Sequence, residues 1–63
     1  MKTIVVHNQK EGMTYLVPIE SINYIVAFDD VTRIILKNVV RGVSCMDVDE
    51  SISDIDNFIN NGG

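Results

Sequence analysis

The chain reads as an α+β domain: a strongly bent antiparallel sheet of about five strands, in the order β-β-β-β-β-α, with one C-terminal helix. Three features of the sequence predict it. Short runs rich in Ile, Val, Thr, Tyr and Phe alternate with breaks that contain Gly, Asp, Asn or Pro, the pattern of strands and turns. From Asp47 onward the period changes, and Ile52, Ile55, Phe58 and Ile59 fall on one stripe of a helix. The chain has 63 residues, enough for a single domain spanning 1–63, and 46% of them are hydrophobic, a composition that folds.

In chain order, Lys2 to Asn8 forms the first expected strand, carried by the β-branched Ile4, Val5 and Val6. Gln9-Lys10-Glu11-Gly12 is a polar loop in which Gly12 can take the positive φ that a hairpin requires, and Met13 to Val17 is the return strand. Pro18 has no backbone N–H, so it marks an edge or a bend, and Glu20-Ser21 makes a short break. Ile22 to Phe28 is the third strand. Asp29-Asp30 turns the chain into a fourth strand, on which Val31, Arg33, Ile35 and Lys37 share one face and Thr32, Ile34 and Leu36 the other. Asn38 is read as opening a second turn, and Val39 to Met46 as a fifth strand with Gly42 at a bulge. Ser51 with Asp54 three residues on resembles a capping box, with Asp49 as the other N-cap candidate. Asp47, Asp49, Glu50 and Asp54 crowd the helix start, where the macrodipole favours negative charge. Asn60-Asn61-Gly62-Gly63 ends the helix.

The stretch from Ile19 to Asn38 organises the rest, because both of its faces are apolar. Ile25, Ala27, Ile34 and Leu36 can face the helix. Tyr24, Val26, Phe28, Val31 and Ile35 then face away from it, relieved only by Arg33 and Lys37. Exposed apolar patches of this kind mark interaction sites. A chain this short also has little core and commonly relies on disulfides, a metal or oligomerisation. Cys45 is the only cysteine and His7 the only histidine, so neither an internal disulfide nor a structural metal is expected, and no cofactor is implied. The expectation is a homo-oligomer, with Tyr24, Val26, Phe28, Val31, Arg33 and Ile35 at its interface. The competing arrangement is a small barrel in which the sheet curls and buries both faces itself.

No catalytic constellation is legible. The run Asp47-Val48-Asp49-Glu50-Ser51 spaces carboxylates two apart like a calcium loop. Counted from Asp47, however, the sixth and twelfth positions, which need Gly and Glu, are Ile52 and Phe58. Asp29 and Asp30 are adjacent in a turn, where they serve the backbone rather than acid–base work. His7 and Cys45 lack any legible orienting group or oxyanion loop, and Cys45 within an apolar strand reads as a buried or half-buried thiol. The function expected is therefore a non-enzymatic protein-interaction module. Two alternatives stand beside it. One is a nucleic-acid-binding regulator using Arg33, Lys37 and Arg41 beside Tyr24 and Phe28. The net charge of −4 disfavours it, since phosphate binding rests on excess Lys and Arg. The other is a small-ligand binder with a pocket between subunits. No apolar run approaches the roughly 20 residues of a membrane span. The opening MKTIVVHNQK reads as too short for a signal peptide, and with one free Cys the expected setting is cytoplasmic.

Two resemblances follow from particular residues. Ile19-Glu20-Ser21-Ile22, then Asp30 to Asn38, then Glu50-Ser51 opening the helix, resemble the small flagellar and swarming-motility proteins of the FlbD type. Those share a strand order of this kind and a Glu-Ser-started helix. The family's Asn-Gly turn is replaced here by Asn38-Val39. Pro18-Ile19-x-x-Ile22 followed by Thr32-x-Ile34-x-Leu36 is similar to the central strands of LytTR-type DNA-binding domains. Both resemblances imply the sheet-and-helix fold, and neither carries a functional residue onto this chain.

Overall fold

Two antiparallel sheets form where a single one was expected. The structure, a computed structural model, describes residues 2–61, except the side chain of Val40. Strands β1 (Thr3–Asn8) and β2 (Met13–Pro18) pair as a hairpin, with Ile4 opposite Val17 and Val6 opposite Tyr15. Strands β3 (Ile22–Phe28), β4 (Val31–Val40) and β5 (Val43–Val48) form a separate three-stranded sheet in that order. Helix α1 (Ile52–Asn60) closes the chain. The protein is thus α+β with one C-terminal helix, but the bent five-strand sheet is replaced by a two-stranded and a three-stranded sheet.

The break falls at Pro18. Proline has no N–H to continue a ladder, and Ile19–Ser21 coils into a single 3-10 turn instead of a tight hairpin. The N–H of Ile19 donates to the carbonyl of Lys2 at 3.0 Å, which ties the link back to the start of β1. So β2 is left paired with β1 alone, and β3 takes β4 as its partner.

Two boundaries also move. Asn38 lies inside β4, and Gly42 is a turn residue rather than a bulge. Arg41 (φ 53°) and Gly42 (φ 78°) are consecutive left-handed residues between Val40 and Val43. That is the backbone of a two-residue type I′ hairpin, whose twist matches that of the flanking strands. The irregularities sit elsewhere: one between Ile22 and Tyr24 on β3, the other between Ile35 and Val40 on β4. The first is consequential. Ile22 pairs with Leu36 while Tyr24 pairs with Ile35, so the extra residue Asn23 moves Ile22 to the face opposite Tyr24. Strict alternation would have put Ile22 and Tyr24 on the same side.

The core lies on the inner face of the three-stranded sheet. Ile34 and Val48 from that sheet meet Ile4, Val6 and Val17 from the hairpin and Ile55 from the helix, all buried. Ile22, Ile25, Leu36, Met46, Phe58 and Ile59 pack around them. The inner face is thus covered by the hairpin and the helix together, not by the helix alone. Ala27, expected on this face, is exposed near the turn, while Thr32 is buried. In α1 the Ser51 hydroxyl accepts the N–H of Asp54 at 3.1 Å, which makes Ser51 the N-cap. Ile55 is the buried centre of the helix stripe, and Ile52 at its start is exposed. The Asn61 N–H closes the last turn on the Asn57 carbonyl at 2.9 Å, and Gly62 and Gly63, expected to end the helix, lie outside the described residues. Among the described residues no helix is long and apolar enough to cross a membrane.

Candidate interaction surface

The outer face of β3-β4-β5 is built from cross-strand pairs. Tyr24 stands beside Ile35, Val26 beside Arg33 and Phe28 beside Val31. On the other side of β4, Ile35 neighbours Cys45 and Arg33 neighbours Asp47. Period-two alternation sends these side chains away from the core, while Thr32, Ile34, Met46 and Val48 turn inward. Tyr24 is 56% exposed, Phe28 40% and Val26 38%. Val31, Arg33 and Ile35, in the middle strand, are half-buried by their neighbours. Cys45 shares the outward parity of Asp47 and is exposed, not the buried or half-buried thiol its apolar strand suggested.

One ion pair crosses this face. Arg33 Nε donates to Asp47 Oδ1 at 2.7 Å and Arg33 Nη2 to Asp47 Oδ2 at 3.2 Å, a two-pronged contact that fixes the guanidinium plane. The guanidinium carbon also lies 4.8 Å from the centre of the Phe28 ring. The hydrogen bond from Arg33 holds the Asp47 carboxyl below its ordinary value, and the same bond raises Arg33 further. Lys37 is exposed further along β4, and Arg41 sits in the β4–β5 turn. Of the three cations singled out in the sequence, Arg33 is already matched by a carboxylate.

A second polar cluster was not legible in the sequence. The end of β1 is held by the segment between β5 and α1. Glu50 takes the His7 backbone N–H on Oε1 at 2.8 Å and meets the His7 ring at Nδ1 through Oε2 at 2.7 Å. The Asp49 N–H donates to the His7 carbonyl at 2.7 Å, the Gln9 N–H to Asp49 Oδ2 at 2.8 Å, and Asn8 Nδ2 to the Asp47 carbonyl at 3.0 Å. Burial alone would raise the Glu50 carboxyl, but the hydrogen bonds from the His7 ring and backbone outweigh it and hold that carboxyl below its ordinary value. The acidic run at the helix start therefore ties the hairpin to the three-stranded sheet, in addition to favouring the helix dipole. His7 and Cys45 are not brought together: His7 is engaged by Glu50, and Cys45 lies exposed opposite Ile35.

Asp29 and Asp30 occupy the β3–β4 turn, with Asp29 at φ 51°. An open apolar groove of about 310 Å³ runs beside β2, walled by Tyr15, Leu16, Val17, Pro18, Leu36 and Met46. Among the described residues no group of three or more His, Cys, Asp or Glu side chains could hold a metal ion. No protein-family model, no curated protein and no solved structure matches the chain.

Proposed function

We propose that this chain is a non-enzymatic interaction module that self-associates through the outer face of β3-β4-β5. The observation that carries this reading is the exposure of Tyr24, Val26 and Phe28 as neighbours on one sheet face, while both covering elements sit on the other. Burying a large apolar side chain is worth about 1.5–3 kcal/mol, so a face with two aromatics and three aliphatics gains substantially from a partner. The single ion pair on that face does not oppose association strongly. Arg33 and Asp47 already neutralise each other, and the guanidinium is stacked on Phe28, so neither charge enters an interface unpaired. The pairing also weighs against nucleic acid, whose phosphates would have to meet Arg33 beside the Asp47 carboxylate.

Sedimentation and light scattering test the reading. The chain is expected to show the mass of more than one copy at high micromolar concentration. Tyr24→Lys and Ile35→Lys should each shift that mass to a single copy with the fold retained by circular dichroism. A one-copy mass from micromolar to millimolar concentration would overturn it.

A further inference from the structure

The three-stranded sheet is electrically polar along its strands. At one end lie the Asp29-Asp30 turn and, just past β5, Asp49, with Lys10 of the β1–β2 turn beside them; Asp47 stands opposite Arg33, midway along the strands. At the other end lie Lys37, exposed on β4, and Arg41 in the β4–β5 turn. The topology causes this separation. Because β4 runs from the Asp29-Asp30 turn to the Arg41-Gly42 turn, its two ends carry opposite charge. Because β5 is antiparallel to β4, its acidic C-terminal end returns to the acidic side.

Resting on the self-association proposed above, we infer that the occupant of the outer face is a second copy stacked with its strands antiparallel to the first. The two-fold axis then crosses the strands near Val26 and Arg33. Two facing sheets of one chain can be related by a two-fold axis along the strands or across them. An axis along the strands places acidic end on acidic end and basic end on basic end. An axis across them places each acidic end against the basic end of the other copy. Charge complementarity selects the second.

The apolar pattern is compatible with the same axis. The outward pairs are Tyr24 with Ile35, Val26 with Arg33 and Phe28 with Val31, so Val26 and Arg33 are the midpoint of the patch. A two-fold there stacks Tyr24 of one copy on Phe28 of the other and Val31 on Ile35. It brings Lys37, four residues beyond Arg33, over the Asp29-Asp30 turn of the second copy. Each Arg33 reaches the axis with its charge already matched by Asp47.

Charge reversal tests the arrangement. At low salt, Lys37→Glu and Asp30→Lys are each expected to weaken association about tenfold, because each contact occurs twice in a two-fold dimer and exposed pairs contribute modestly. The double variant Lys37→Glu/Asp30→Lys exchanges the two ends and should return to within about threefold of the parent, and 0.5 M salt should compress the differences. Single variants that associate more tightly than the parent would overturn the arrangement in favour of an axis along the strands. A double variant as weak as the two losses combined would also overturn it. A parent chain that stays a single copy would overturn the self-association and this inference together, whereas a parent that associates but fails the compensation overturns the arrangement alone.

Discussion

The two faces of β3-β4-β5 are made by the same three strands and nearly the same residue types, yet they have opposite fates. On the inner face Ile34 and Val48 are buried by hairpin and helix. On the outer face Tyr24, Val26 and Phe28 stay in solvent. Hydrophobicity does not separate them, since Val26 and Ile34 are both β-branched aliphatics. What separates them is supply: the chain contains two covering elements, and the Pro18 break together with the His7–Glu50 clamp places both on one side. Inner-face residues therefore act on folding, whereas outer-face residues are left to act, on the function proposed above, at a contact with a second copy.

The largest expected effect breaks the inner face. Ile34→Ala should destabilise the chain by about 2–5 kcal/mol, comparable to the whole stability of a domain this size, so chemical denaturation should find little folded protein. The matching outer-face change, Val26→Ala, should leave the stability of a single chain within about 0.5 kcal/mol while weakening self-association. Equal losses of stability for the two would dissolve the contrast. Removing the helix cap tests the cover: Ser51→Ala should lower the melting temperature by an amount equivalent to about 1 kcal/mol, because the Asp54 N–H loses its acceptor.

The clamp gives a smaller, pH-dependent effect. The Glu50 carboxyl is held below its ordinary value of 4.5 in the folded state, so its stabilisation is fully present above that pH. It is lost as pH falls through the lower folded value. Glu50→Gln should therefore flatten part of the acid-side decline in stability below about pH 4.5. Asp47, held below 3.8, accounts for a decline at still lower pH that Glu50→Gln leaves in place. The smallest change is expected at the Arg41-Gly42 turn. Arg41→Asn relieves a left-handed non-glycine residue and should stabilise the chain by roughly 0.5 kcal/mol, part of the 1–2 kcal/mol such a conformation costs most residues.

What could be read in the sequence was mostly local. The helix stripe centred on Ile55, the Ser51–Asp54 cap and the Asp29-Asp30 turn depend on residues within a few positions of one another. Period-two alternation sorted the residues of β3 and β4 into two sets, but which set faces outward followed only from where the hairpin and helix pack. Other features were local but ambiguous. Asn38 looked like a turn, and Gly42 looked like a bulge, because strand interiors and turns share residue types. The exposure of Cys45 depended on which parity of β5 faced the core.

The sequence by itself determined the order of strands and helix, two candidate helix caps (Ser51 and Asp49) and the two-faced character of Ile22 to Leu36, because period, propensity and capping act over a few residues. Only the tertiary structure decided that β2 and β3 do not pair with each other, that Asn23 flips Ile22 inward, and that His7 finds Glu50 across 43 positions of chain. Those outcomes depend on which edges and side chains meet after the chain has closed on itself. Strand pairing uses the same backbone groups everywhere, so beyond a local stop such as Pro18 the choice of partner rests on long-range packing.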